Sequence, residues 1–319
     1  MEKSRKPILV SILCLVYNHE PYLRQCLDGF VMQKTSFAFE AIVHDDCSTD
    51  GSAAIIREYA GKYPDIIKPI FEMENQYSKG DDSLERIMYD ATHGKYTALC
   101  EGDDYWTDPM KLQKQVSFLE THSDYTMCCH GAKNINFEKL VWYTQMNHDT
   151  PIAINKAIEM DGSSIPTLSI VYRSELQLGF LDFKKGISIG DYPLQIYCAL
   201  KGRVMFMKDI MGVHTLGAKD SWHSTVAMNK DRYERFLMEL FQWLDKVDIS
   251  TDKKYHDSIN FVKISKKLSQ CIKTGNFSCL RFHDGLRYFM FKHSFKERIV
   301  LGLRIYYCNW LVDLYINKR

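Results

Sequence analysis

What this chain of 319 residues lacks narrows its chemistry first. No G-x-G-x-x-G follows an apolar run and no G-x-x-x-x-G-K-[ST] occurs, which sets aside a dinucleotide dehydrogenase and a P-loop NTPase. H-E-x-x-H is missing, and with it the zinc-peptidase helix. There is no C-x-x-C pair, although ten cysteines are present. Cys14, Cys100, Cys128, Cys129 and Cys198 sit in apolar runs, where a free thiol behaves as a small hydrophobe. A chain this long needs no disulfide staples, so a reducing, cytosolic compartment is expected. The net charge of +1 gives no broad attraction to nucleic acid. No internal repeat or low-complexity linker interrupts the chain. The N-terminal run ILVSILCLV has no small-residue cleavage site and passes straight into Asn-His-Glu-Pro, so it reads as a buried first strand rather than a signal peptide. The apolar stretch 299–316 is broken by Arg304, Asn309 and Asp313, which argues against a spanning helix. It leaves a helix packed on its own domain, or one lying on a membrane surface or at a subunit interface.

What is present is an ordinary globular composition, 45% hydrophobic and 25% charged, with 13% aromatics to fill a core. The first two hundred residues alternate strand-like and helix-like segments. ILVSILCLV (8–16) is a strand covered on both faces, followed by a helix capped by Asn18 with Pro21 in its first turn. FEAIVHD (39–45) is a second strand, SAAIIREYAGKY a helix, and IIKPIF a third strand. A polar loop, NQYSKGDDS, precedes a helix around LERIMYDATHG, and YTALC (96–100) is the next strand. The following helix is expected to start at Asp108-Pro109. This rhythm predicts an α/β fold with a mainly parallel sheet flanked by helices. From about residue 225 helical periodicity dominates, as in RYERFLMELFQWLDKV, which predicts a C-terminal helical appendage.

Polar clusters fall at the strand ends, where ligands of such sheets collect. Asn18-His19 follows the first strand and Asp45-Asp46 the second; Glu101, Asp103 and Asp104 crowd into CEGDDYWTD after YTALC. Asp103 and Asp104 either hold a hard cation such as Mg²⁺ or Mn²⁺ or form a solvated acidic turn. Asp108 reads as a cap, and Tyr105 and Trp106 as loop packing. In HDDCSTDG, Ser48, Thr49 and Asp50 read as turn residues, while Asp45 or Asp46 could accept hydrogen bonds from a base or ribose. Asp191, two residues before Pro193, is either a helix cap or a general base at a cleft mouth. His214 and Trp222 lie in a segment that reads as a loop, MGVHTLGAKDSWHS.

Taken in order, VSILCLVYNHEPYLRQCLDGFVMQ, FEAIVHDDCSTDGS, GKYTALCEGDDYWTDPMKLQKQVSFLE, GDYPLQIYCAL and GVHTLGAKDSW resemble glycosyltransferase family 2 over roughly residues 7–225. The resemblance implies a GT-A, Rossmann-like fold in residues 1–225, a helical region in 226–319, and a nucleotide-diphosphate sugar as donor. It places Val16, Tyr17, Asn18 and Glu20 in the nucleotide pocket and Asp45 or Asp46 against the base. EGDD stands at the family's D-x-D motif, so Asp103 and Asp104 would hold Mg²⁺ or Mn²⁺, with Asp103 also touching the nucleotide-sugar. Asp191 stands where the family has its catalytic base, although Gly190 replaces the preceding glutamate. His214 and Trp222 match a late loop that nears the diphosphate or metal.

The implied activity is an inverting, metal-dependent transfer to an acceptor hydroxyl, in cell-surface polysaccharide or glycolipid synthesis. The acceptor would be saccharide or lipid-linked, met by SSIPTLSIVYRSEL (163–176) and the helical tail. Peripheral membrane contact, at the inner face, or a homo-oligomer would run through the C-terminal helices; no nucleic acid is expected. Rival readings are a non-catalytic nucleotide-sugar-binding protein and a sugar nucleotidyltransferase. The second would want a glycine-rich basic loop after the first strand, where this chain has VYNHEPYLR.

Overall fold

A computed structural model of the chain describes residues 7–136, 139–219 and 221–274. They fall in two compact units, Met1–Glu239 and Leu240–Arg319. The first unit is built on one mixed sheet. Its strands are β1 (Ile8–Val16), β2 (Ala38–Asp45), β3 (Ile67–Phe71), β4 (Tyr96–Leu99), β5 (Tyr105–Trp106), β6 (Tyr125–Asn136), β7 (Lys139–Thr144), β8 (Thr150–Ile152), β9 (Val171–Arg173) and β10 (Arg203–Leu216). Helices α1 (Glu20–Val31), α2 (Ser52–Lys62), α3 (Ser83–Asp90), α4 (Lys111–Thr121), α5 (Ile154–Glu159), α6 (Gln177–Lys184) and α7 (Asp191–Lys201) connect them. Then come α8 (Lys230–Ser250) and α9 (His256–Thr274).

The sheet order is β3-β2-β1-β4-β9-β6-β10-β5, with β7 on β6 and β8 on β10. The longest ladders, β1 with β2 and β10 with β6, are parallel, as the strand–helix rhythm predicts. Antiparallel β9 bridges β4 and β6, and short β5 folds back on β10. The apolar run of β1 is covered on both faces: Val10, Ile12, Cys14 and Val16 are fully buried on one, and Ser11 and Leu13 are buried on the other. The apolar stripe of α1, Leu23, Leu27 and Phe30, packs into the same core.

Three sequence expectations need correcting. First, α4 starts at Lys111 rather than at Asp108-Pro109. The Asp108 carboxylate takes the Met110 N–H at 2.8 Å, which makes a separate turn ahead of the helix. Second, the segment 163–176 is not a loop throughout: Ile165, Leu168, Ile170, Val171 and Tyr172 are buried because β9 sits in mid-sheet. Third, His214 belongs to β10 and not to a loop. The seven described cysteines are free thiols, and among the described residues no helix is long and apolar enough to cross a membrane. The 299–316 stretch lies outside the described residues.

Candidate active site

Parallel pairing sets Val16 opposite Asp45, so the ends of β1 and β2 open side by side. The two turns that follow are tied together. The Asn18 N–H donates to Ser48 Oγ at 2.9 Å, and Asn18 Oδ1 accepts the Thr49 N–H at 2.9 Å. The His19 N–H reaches Ser52 Oγ, the Glu20 N–H reaches Asp50 Oδ2, and Glu20 Oε2 accepts the Gly51 N–H at 2.8 Å. Asn18 therefore does not cap α1; it sits at φ 56°, a left-handed conformation that asparagine tolerates, and turns its amide to the neighbouring loop. Tyr17 is left half-buried beside Val16, which is fully buried.

Asp45 and Asp46 are both buried but serve differently. Asp45 Oδ1 accepts the Ser48 N–H at 3.3 Å. Asp46 has both oxygens occupied by the backbone of the polar loop, Gln76 N–H at 2.6 Å and Tyr77 N–H at 3.0 Å. Asp46 thus shapes the loop that carries the half-exposed Tyr77.

After β4 the chain runs on along β1: the Cys100 N–H bonds Leu13 O at 3.2 Å and the Gly102 N–H bonds Leu15 O at 2.9 Å. A side chain at residue 102 would meet His19 Nδ1 at 2.7 Å and Val16 Cγ2 at 3.0 Å, so glycine is required by the close approach. Asp104 is then fixed from the far side of the sheet, its Oδ1 accepting the Thr215 N–H of β10 at 2.8 Å. Trp106 anchors the loop from below through Nε1–H to Leu168 O at 2.8 Å and an edge contact with Phe30. The result is that one carboxylate oxygen each from Glu101, Asp103 and Asp104 lies within 4.8 Å of the others.

This is a costly arrangement of like charges. Glu101 lies exposed at the edge of the cluster, and the protein crowded around its carboxyl, then the charges of Asp103 and Asp191, push that carboxyl upward. Burial, followed by Asp103 and Glu101, raises Asp104 well above the carboxylate range. Asp191 opens α7; its Oδ1 takes the Tyr192 N–H at 2.8 Å, and Thr167 Oγ1 lies 3.4 Å from Oδ2. Its charge adds, after that of Asp103, to the upward push on the Glu101 carboxyl.

His214 does not converge with the three acids; its Nδ1 pairs with Asn134 Oδ1 at 3.0 Å on the adjacent strand. Trp222 packs edge-on against Phe236 with centroids 5.0 Å apart, its indole N–H buried without a partner. Thr167 and Thr215 escaped the sequence reading, since a partner 24 or 111 residues away leaves no local pattern. A G-x-S-x-G spacing does occur, at Gly186–Gly190, but it joins α6 to α7 and not a strand to a helix, so Ser188 is not set as a nucleophile elbow.

The chain is 36% identical over 233 residues to an uncharacterized Mycobacterium tuberculosis protein, Rv1520; the match takes in 70% of this chain and 64% of that one. It therefore spans just under two thirds of this relative's length. Among solved structures it is similar to Staphylococcus aureus TarS in complex with UDP-GlcNAc, with TM-score 0.63 and 18% identity over 89% of this chain and 79% of that one. It is also similar to the mannosyltransferase PcManGT of Pyrobaculum calidifontis in complex with GDP-Man and Mn²⁺, with TM-score 0.54 and 14% identity over 94% and 81%. At such identities these two speak for the GT-A fold. The model of glycosyl transferase family 2 matches residues 11–177, more than half of the sequence, and the chain belongs to that family.

Proposed function

We propose that the chain is a metal-dependent, inverting glycosyltransferase that moves a sugar from a nucleoside-diphosphate sugar to a hydroxyl of a saccharide or lipid-linked acceptor in cell-surface polysaccharide or glycolipid synthesis. The observation that carries this reading is the convergence of Glu101, Asp103 and Asp104. Three hard oxygen donors suit Mg²⁺ or Mn²⁺, and a cluster that costs this much without a cation is relieved by one. Two structural neighbours hold nucleotide-sugars, one of them with Mn²⁺. A cation held by the three acids would supply positive charge against the departing diphosphate.

The chain's own residues do the rest. Val16 and Tyr17 line the nucleotide pocket, Asn18 and Glu20 fix its walls, and Asp45 meets the base or ribose. Asp46 contributes by holding the 75–77 turn. His214, steadied by Asn134, and Trp222 are assigned to the diphosphate side. Asp191, oriented by the Tyr192 N–H and Thr167, removes the proton from the acceptor hydroxyl. That oxygen attacks the anomeric carbon opposite the leaving diphosphate, and a single displacement inverts the configuration. The helices beyond residue 225 are assigned acceptor, membrane-surface or oligomer contacts.

The test is a thermal-shift screen of nucleotide-sugars with and without Mn²⁺ or Mg²⁺. A ligand at a hundredfold excess over its Kd adds ~2.7 kcal/mol to the folded state. Asp104→Asn is expected to remove the metal-dependent part of the stabilisation. No response to any nucleotide-sugar would sink the donor assignment, and a response indifferent to metal would sink the role of the acids.

A further inference from the structure

His19 follows β1 closely, is only 9% exposed, and has an imidazole that the protein leaves unused. Its main chain is fully engaged. The N–H donates to Ser52 Oγ at the start of α2 at 3.0 Å, and the carbonyl accepts the Tyr22 and Leu23 N–H groups of α1, both at 2.9 Å. The ring lies on the other side, against the turn after β4. There its Nδ1 edge closes on Gly102, the residue between Glu101 and Asp103, where a Cβ would stand 2.7 Å from that nitrogen. Nδ1 is sealed from solvent and has no hydrogen-bond partner. Nε2 has no partner among the described residues either, but it is not sealed, so it is the open edge of the ring. A buried imidazole with neither nitrogen engaged is the kind of exception that a ligand explains.

Burial also sets the tautomer. A proton on Nδ1 would be a buried donor facing the Gly102 Cα with no acceptor, and orphaned buried N–H groups are the rarest of unpaired polar groups. A bare Nδ1 rests instead against a weakly polarised C–H. The proton therefore belongs on Nε2, and the ring offers a donor at its open edge. The resemblance that gives roles to Val16, Tyr17, Asn18 and Glu20 gives none to His19.

We propose that His19 is a donor-binding residue whose Nε2–H holds an oxygen of the diphosphate of the nucleotide-sugar. This rests on the glycosyl-transfer reading above. Position favours the diphosphate: His19 stands between the ends of β1 and β2, assigned to the nucleoside, and the turn that carries the three acids. Chemistry favours it too. Ionised carboxylates only accept hydrogen bonds and repel phosphate, so a neutral donor set among them suits an anion that the acids alone cannot hold.

The test is calorimetric titration of the full chain, with Mn²⁺ present, by UDP, GDP, CDP, ADP and dTDP, and by the free nucleoside of each diphosphate that binds. His19→Leu and His19→Phe, two apolar side chains of different shape, are expected to weaken diphosphate binding by about tenfold or more. His19→Gln, whose amide N–H replaces the Nε2–H, should return it to within about threefold of wild type. Nucleoside affinity, and Mn²⁺ affinity without nucleotide, should stay within about twofold in all three variants. Unchanged diphosphate affinity in the two apolar variants overturns the inference. So does the reverse order, phenylalanine good and glutamine poor, which would mean that the ring only fills space. An equal loss for the nucleoside would place His19 on the base or ribose, and a loss of Mn²⁺ affinity alone would mean a disturbed turn; either overturns it. If wild type and variants bind diphosphates equally well, the glycosyl-transfer reading stands without His19. If the wild type binds no diphosphate, that reading falls and takes this inference with it.

Discussion

Replacing Lys111 with methionine should stabilise this protein, and by an amount that depends on pH. Lys111 is fully buried at the start of α4, and its Nζ has no hydrogen-bond partner. It lies 3.7 Å from the centre of the Trp106 ring. Burial pulls its pKa from 10.5 down to about 7, against the small opposing influence of Cys100 and Cys128. At ~1.36 kcal/mol for each tenfold change in proton affinity, holding the ammonium in this place costs the folded state roughly 5 kcal/mol below pH 7. The contact with the indole returns about 2 kcal/mol at a desolvated site. The penalty wins, by about 3 kcal/mol. The sign follows from proton counts: between pH 7 and 10.5 the unfolded chain keeps the proton that the folded chain has shed, so native stability rises with pH across that window. Methionine fills a similar volume without the charge. Lys111→Met is therefore expected to raise the unfolding free energy by about 3 kcal/mol at pH 6 and to lose most of that advantage by pH 10. Urea unfolding followed by tryptophan fluorescence at the two pH values measures it. A variant less stable than wild type at pH 6 would refute the reasoning, since the amine would then have a partner that satisfies it.

Asp191→Asn keeps the shape of the α7 start but removes the proton acceptor, so transfer should fall by about 10²–10⁴ while nucleotide-sugar thermal shifts persist; normal turnover would dismiss the base assignment and favour some other carboxylate. Gly102→Ala pushes a methyl onto His19 and Val16, and the EGDD turn must shift to admit it. Metal-dependent stabilisation by nucleotide-sugars should weaken at least tenfold in affinity with the fold intact by circular dichroism, and unchanged affinity would show that the close approach is not needed.

The parts of this molecule that were legible in its sequence are those written in short-range pattern. The unbroken apolar run of β1 and the polar clusters at the ends of β1, β2 and β4 mark buried strands with polar groups gathered at their ends. Where a residue's partner lies far along the chain, pattern fails. Asn18 looked like a helix cap because asparagine favours caps, and only the neighbouring turn, with Thr49 in reach, draws it into a left-handed conformation. Asp46 is indistinguishable from Asp45 by composition, yet its two oxygens are committed to the backbone of residues 76 and 77. The 163–176 segment reads as a variable loop until β9 is found between β4 and β6. Lys111 carries no warning at all, since lysine at a helix start is ordinarily solvated.

The bond between Asp104 and the Thr215 N–H has a consequence for how the site comes into being. It joins residues 111 apart, and β10 lies in place through its long ladder with β6 and shorter ones with β5 and β8. Closing so long a loop is among the slower events of folding. A nascent chain that has passed residue 177 already holds every acid of the cluster and the whole of the family-matched region, yet it lacks the amide that fixes Asp104. The cluster is thus finished late, by the same strand that carries His214, so affinity for a divalent cation should appear as one of the last events of refolding and can serve as its clock.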